Sequence, residues 1–154
     1  MHRDIIFWSG IKMASRWGIA DGHINVTRPM GAYQMAFWLR KHRFSAQVIE
    51  FIHLFTAEEL VKLTEPFISD KTICIGLSRT FLGPTTRWPE NVATAVNLLR
   101  DKFPHIKVVT GGQYGGFEDT TVKVDKTFIG YGEDIFLKWM QEQKLGLSMP
   151  NELF

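Results

Sequence analysis

Residues 107–134 read KVVTGGQYGGFEDTTVKVDKTFIGYGED. Two short apolar runs, Lys107 to Thr110 and Lys126 to Ile129, each run out into glycine. The second feeds a stretch of helical period, about Glu133 to Lys144, that would bury Phe136, Trp139 and Met140. A strand that ends in glycine and leads into a helix is the repeating unit of a parallel sheet with crossover helices. The link from Gln113 to Asp125 is too short for a full crossover helix, so a single turn or an extended crossing is expected there.

The same rhythm extends toward the N-terminus. Asp4 to Ser9 (DIIFWS), Gln47 to Phe51 (QVIEF) and Thr72 to Leu77 (TICIGL) complete a set of five strands, each apolar enough for a sheet covered on both faces. Ala32, Met35, Ala36 and Leu39 fall at helical spacing, as do Val92, Ala95, Val96 and Leu99. Thr56 and Glu59 form a T-x-x-E capping box for a helix through about Phe67, and Trp88-Pro89 places proline at a first helical position. Residues 11–30 form the main irregularity, a loop of twenty residues without periodicity, the length at which a lid, a binding loop or a partner contact is expected.

The chain has 154 residues, 45% hydrophobic and 22% charged, and reads as one domain over 1–154 with a C-terminal tail from 146 to 154. The net charge of +2 does not call for a nucleic-acid partner, although residues 1–55 carry seven basic against three acidic side chains and would suit an anion. With Cys74 as its one cysteine, the chain can form neither an internal disulfide nor a four-thiolate zinc site, nor hold an iron-sulfur cluster, which fits a reducing, cytoplasmic setting. No signal peptide and no run of about eighteen apolar residues is visible, so no membrane association is expected.

Ligands of open parallel sheets bind beyond the carboxyl ends of the strands. Four loops qualify: Ser9-Gly10; Ser78-Arg79-Thr80; Gly111-Gly112-Gln113 with Tyr114 to Gly116; and Gly130-Tyr131-Gly132-Glu133. Their glycines either let a ligand reach the backbone or simply make tight turns. Neither G-x-x-x-x-G-K-[ST] nor a G-x-G-x-x-G after the first strand occurs, which argues against nucleotide hydrolysis. Glu133 and Asp134 in a first helical turn suit the helix dipole and would repel a phosphate. His2, His23, His42, His53 and His105 lack metal-site spacing and are expected to be exposed or hydrogen-bonded, with Asp21-Gly22-His23 the one pair suited to metal ligation. Cys74, inside a strand, is expected to be buried and inert. No nucleophile, acid and base set is apparent, so catalysis by this chain alone is not expected. Trp17 beside Arg16 in the long loop would either stack on a flat ligand or pack on the domain.

Four segments resemble the N-terminal cobalamin-binding domain of cobalamin-dependent radical SAM enzymes. They are Gly31-Ala32-Tyr33-Gln34-Met35-Ala36 leading to Leu39-Arg40-Lys41-His42; Val48-Ile49-Glu50-Phe51; Ile75-Gly76-Leu77-Ser78; and Val109-Thr110-Gly111-Gly112 with Phe128-Ile129-Gly130-Tyr131-Gly132-Glu133. The resemblance spans residues 4 to about 145. It implies a Rossmann-like, flavodoxin-type three-layer α/β sandwich with a five-stranded parallel sheet of order 2-1-3-4-5. Cobalamin would lie across the strand ends, its nucleotide tail beside Ser78 and the Gly111-Gly112 turn, with Tyr131 and Gly132 as another wall. On the same resemblance Ser9, Gly10, Gly31, Tyr33, Arg79, Thr80, Gln113 and Gly130 complete the cofactor-binding set. The family's D-x-H-x-x-G is not matched before Gly31, Asp21-x-His23 being half of it and too far upstream, and Ser78-Arg79-Thr80 departs from S-x-L. The radical SAM barrel with C-x-x-x-C-x-x-C does not follow before Phe154. The expectation is a cobalamin-binding module without catalysis of its own, acting with a radical SAM barrel or another protein in trans. The alternative is a degenerate Rossmann-like domain that serves as a protein-interaction module.

Overall fold

The computed structural model describes residues 1–10, 12–13, 26–27, 30–78, 88–112, 121–129 and 132–148. Its centre is β1 (Ile5–Trp8), four residues whose side chains are all buried. β4 (Ala46–Ile49) pairs with one side of β1 and β5 (Cys74–Ser78) with the other, both parallel. β6 (Lys107–Gly112) and β7 (Lys126–Ile129) continue the sheet beyond β5, so the spatial order is β4-β1-β5-β6-β7. In chain order that is 2-1-3-4-5, a Rossmann-like, flavodoxin-type parallel sheet.

Strand alternation divides the apolar residues between two layers. Ile6, Trp8, Ile75, Leu77 and Val108 face one side, where Leu60 of α2 (Ala57–Thr64) and Val92, Val96 and Leu99 of α3 (Glu90–Lys102) cover them. Ile5, Phe7, Cys74, Val109 and Phe128 face the other, against Ala36 and Leu39 of α1 (Met30–Lys41) and Phe136 and Met140 of α4 (Glu133–Ser148). Two apolar faces leave the sheet no solvent-facing side, which is why its strands read as near-continuous hydrophobic runs.

Local chemistry sets the ends of these elements. Thr56 Oγ1 accepts a hydrogen bond from the Glu59 N–H at 3.2 Å while a Glu59 carboxylate oxygen accepts from the Thr56 N–H at 3.0 Å, so the capping box is present and opens α2. That helix tightens into a 3₁₀ turn over Glu65–Phe67 at Pro66. Pro89 stands one residue outside its expected place, as the N-cap of α3 rather than the first helical position. The second strand ends at Ile49 instead of Phe51, because Phe51 adopts φ 61° and cannot continue an extended ladder. Gly111 and Gly112 belong to β6, paired with Phe128 and Ile129, and are not a turn. The stretch 11–30 is not wholly without structure, since β2 (Lys12–Met13) and β3 (Val26–Thr27) pair antiparallel within it. Between β6 and β7 the described residues 121–125 contain no helix, and residues 113–120 of the expected turn or extended crossing lie outside the described residues. Asp125 ties that crossing down: its backbone N–H donates to the Val108 carbonyl at 2.7 Å, its carboxylate accepts from the Val108 N–H at 2.8 Å, and Arg100 pairs with the same carboxylate at 2.8 Å.

Two predictions concern the sheet's packing. A Cβ at Gly76 would sit 2.7 Å from Cδ1 of Phe7, its partner across the ladder. Gly76→Ala should therefore destabilise by about 1–3 kcal/mol through overpacking, and Phe7→Leu should recover part of that loss in the same background, as read by urea denaturation of the single and double variants.

Burial, with Asp125 and Asp4 adding to it, pushes the Cys74 thiol well above its ordinary value of 9.0. The folded chain then keeps a proton that the unfolded chain releases, so this contribution is complete below about pH 9 and is lost as the pH rises toward the folded value. The unfolding free energy of the native chain, relative to Cys74→Ala, should fall above about pH 9 by up to about 1.4 kcal/mol per pH unit, measured by chemical denaturation across that range.

Candidate functional site

Because the chain passes from β1 to one side of the sheet and from β4 back across to β5, the strand ends part between β1 and β5. This is the topological switch point at which an α/β sheet opens a crevice. Ser9 follows Trp8 on one lip, and Ser78, one residue beyond the Trp8–Leu77 pair, stands on the other.

Ser9 is held firmly by its backbone. Its N–H donates to the Ile49 carbonyl at 3.0 Å, and its own carbonyl accepts from the Ile52 N–H at 3.4 Å. Its side chain is fully buried, yet Oγ has no hydrogen-bond partner. An unmet buried hydroxyl costs about 1–3 kcal/mol. The other buried hydroxyls behave differently: Thr110 Oγ1 donates to Leu77 O, Thr72 Oγ1 to Arg3 O and Thr64 Oγ1 to Leu60 O. Trp8 Nε1 in turn donates to Thr64 Oγ1 at 3.1 Å.

The other expected residues divide into several groups. Gly10 is buried directly after Ser9. Gly31 lies in the first turn of α1, and a Cβ there would meet no described atom within 4 Å. Tyr33, two residues on, is half-buried and engaged by neighbouring groups. Gly111 has an internal explanation: a Cβ would come within 3.2 Å of the Phe128 carbonyl, so the close neighbour it accommodates is the adjacent strand. Gly112 pairs with Ile129 at the end of the same ladder. Gly132 is buried, and its carbonyl accepts the Phe136 N–H at 2.7 Å, with Glu133 and Asp134 in the first turn as expected of a helix start. The first turn of α1, in contrast, carries no acidic residue. Arg79, Thr80, Gln113, Gly130 and Tyr131 lie outside the described residues, as do Trp17, Arg16, Asp21 and His23.

The histidines correct one expectation. His2 contacts Asp4 and Ser69, His42 contacts the Trp38 carbonyl and His105 the Ser69 carbonyl, but His53 Nε2 is buried without a partner. Glu50 Oε1 is buried without one too, three residues earlier. Both flank Phe51, whose φ of 61° is a costly conformation for a bulky side chain. The sequence pattern places Glu50 inside a strand and gives it no role. The available signal is a carboxylate near the end of an otherwise apolar run, QVIEF. Among the described residues no group of three or more His, Cys, Asp or Glu side chains is placed to hold a metal ion. Cys74 is buried as expected, its Sγ 3.7 Å from Met140 Sδ. No helix among the described residues is long and apolar enough to cross a membrane.

Comparison with protein-family profiles and with curated proteins finds no match. Among solved structures the chain is similar to RcsB from Salmonella enterica serovar Typhimurium, solved bound to promoter rprA in the presence of phosphomimetic BeF3-. Identity is 10% and the TM-score 0.46, over 90% of this chain and 66% of that one.

The helix glycines make a direct prediction. Gly31 and Gly146 both lie in helices, and a methyl group at either would meet no described atom within 4 Å. Gly31→Ala and Gly146→Ala should each stabilise the ligand-free protein by about 0.5–1 kcal/mol in urea denaturation.

Proposed function

We propose that this chain is a corrinoid-binding domain related to those of cobalamin-dependent radical SAM enzymes, holding cobalamin at the carboxyl edge of its sheet and carrying no catalysis of its own. The observation that supports the reading most is the fully buried, unpartnered Ser9 hydroxyl at the switch point. It is a hydrogen-bonding group that the fold leaves unused, at the edge where sheets of this order take their ligands. Gly31 adds open space at the start of α1, whose first turn carries no acidic residue.

On this reading Ser9, Gly10 and Gly31 would hold the cofactor on the β1 side, with Ser78 at the opposite lip of the crevice. Cobalamin when bound supplies a cobalt-centred carrier of alkyl groups. The residues of this chain bind and orient it. The cysteines of a radical SAM cluster do not occur in these 154 residues, so reductive cleavage of S-adenosylmethionine belongs to residues outside them, on a radical SAM barrel acting with this domain. A protein-interaction role draws less support. The exposed apolar side chains Phe37, Leu63, Leu98 and Ile135 are distributed over α1, α2, α3 and α4, on both sides of the sheet, and gather on no single face.

The test is retention of hydroxocobalamin through desalting, read as corrin absorbance per mole of protein. The folded chain should retain it near stoichiometrically, Ser9→Ala and Gly31→Ala should retain several-fold less, and Gly146→Ala should match the native chain. A protein with native circular dichroism that emerges without corrin absorbance overturns the proposal.

A further inference from the structure

At the amino edge of the sheet, opposite the crevice, three side chains form one hydrogen-bonded row. Asp4 leads into β1 and Ser69 opens the turn that leads into β5, two strands that pair from Ile5 and Cys74 onward. His2 stands between them, its Nε2 3.0 Å from Asp4 Oδ1 and its Nδ1 2.6 Å from Ser69 Oγ. No spacing in the sequence announces this set, because residues 2 and 69 meet only through the pairing of β1 with β5.

Both ends of the row are anchored. The second Asp4 oxygen, Oδ2, accepts from the Ser45 N–H at 2.7 Å and from the Ser45 hydroxyl at 3.1 Å, which fixes the direction of the carboxylate. Ser69 lies in a turn in which the Thr72 N–H donates to the Ser69 carbonyl at 3.1 Å and the Ser69 N–H donates to Thr72 Oγ1 at 2.9 Å. The Lys71 N–H donates to Ser69 Oγ at 3.1 Å.

These partners decide where the protons sit. A carboxylate only accepts, so in the neutral imidazole Nε2 carries the hydrogen and Nδ1 keeps a lone pair. Ser69 Oγ already accepts from Lys71, and its one hydrogen is directed to that lone pair. A hydroxyl that donates to an imidazole, itself oriented by a carboxylate, is an activated nucleophile, whichever ring nitrogen faces it. In such sites the residue after the nucleophile can offer its N–H to the reacting carbonyl. The Asp70 N–H donates to no group among the described residues. The Asp4 side chain is 13% exposed and that of His2 36%, so the carboxylate is shielded while the reacting end of the row meets solvent.

We propose that Ser69 is an acylation site, taking an acyl group from an activated ester. The Ser69 Oγ–carbon bond forms at the ester carbonyl, and the bond from that carbon to the leaving oxygen breaks. The Oγ proton passes to His2 Nδ1 and from there to the departing oxygen or to solvent. The Asp70 N–H donates to the carbonyl oxygen as it gains charge. Asp4 is a positioning residue that holds the ring in the required tautomer. The outcome is a covalent modification of the chain, and none of these residues belongs to the corrinoid reading.

The experiment is incubation of the folded chain with p-nitrophenyl acetate, followed by peptide mapping of the acetyl group by mass spectrometry over time. Ser69 should be acetylated faster than any lysine. His2→Gln and Asp4→Asn should each slow Ser69 acetylation about a hundredfold with native circular dichroism, and Gly146→Ala should match the native chain. Nitrogen-15 spectra of the His2 ring at about pH 8, above the ordinary imidazole range, should place its proton on Nε2 in the native chain. Asp4→Asn, which can accept from Ser45 while turning an amide N–H toward the ring, should move that proton to Nδ1, a change that a merely structural role would not produce. Acetylation of lysines without Ser69, an unchanged Ser69 rate in His2→Gln, or a native ring protonated on Nδ1 overturns the proposal. Hydroxocobalamin retention is read separately on His2→Gln, which should keep it, so failure of one site is distinguishable from failure of the other.

Discussion

The structure depends on burying β1 from both sides. Four consecutive residues, Ile5 to Trp8, must send alternate side chains into two apolar layers, and the sheet accepts this only if β1 has a strand on each flank and helices above and below. Trp8 shows how tightly this is specified. Its ring is buried in the layer covered by α2 and α3, and its indole N–H still finds Thr64 Oγ1, which itself donates to the Leu60 carbonyl. Burying so large a side chain is favourable only when its polar end is met, and a threonine at the end of α2 meets it. The central strand is therefore tied to the end of α2 as well as to the layer that covers it.

The same central position places the carboxyl end of β1 at the switch point. Inside the sheet β1, β5 and β6 each have a paired strand on both sides, and several polar side chains near them are satisfied: Asp4 by the Ser45 N–H and hydroxyl, Asp125 by Val108 and Arg100, Thr110 by Leu77. One residue past the end of β1 that economy fails. Ser9 Oγ, Glu50 Oε1 and His53 Nε2 are buried and unmet, although the Ser9 N–H and carbonyl are both bonded. Trp38 Nε1, on α1, is likewise buried without a hydrogen-bond partner, so such atoms are not confined to this edge.

The fold is largely legible in the sequence because a parallel sheet buried on both faces leaves a compositional trace in every strand. Lys126 to Ile129 is legible to the residue, and the capping box at Thr56 and Glu59 announces α2. Sequence and structure part where tertiary pairing overrides local signals. Gly111 and Gly112 read as a turn, but the neighbouring β7 offers a ladder, and the Phe128 carbonyl requires the absence of a Cβ at Gly111. Gln47 to Phe51 reads as one strand, because its Val, Ile and Phe favour extended backbone and nothing local reveals a left-handed φ at Phe51. The candidate site is legible only in part for a related reason. Ser9 follows from strand order, whereas the orphaned state of Glu50 and His53 is a property of what surrounds them, and no spacing rule encodes it.

The glycines separate structural necessity from opportunity. At Gly76 a methyl group would strike the Phe7 ring, and at Gly111 it would press on a carbonyl oxygen, so both positions are explained by neighbours within the sheet. Gly31 has no such neighbour among the described residues, and it occupies a helix, where glycine carries a conformational cost relative to alanine. Gly146 shares that freedom but lies near the far end of α4, whereas Gly31 lies at the start of α1, the helix packed on the face toward which Ser9 and Glu50 alternate. Gly76 and Gly111 are thus accounted for by the sheet's own packing, whereas no described neighbour accounts for Gly31 or Gly146.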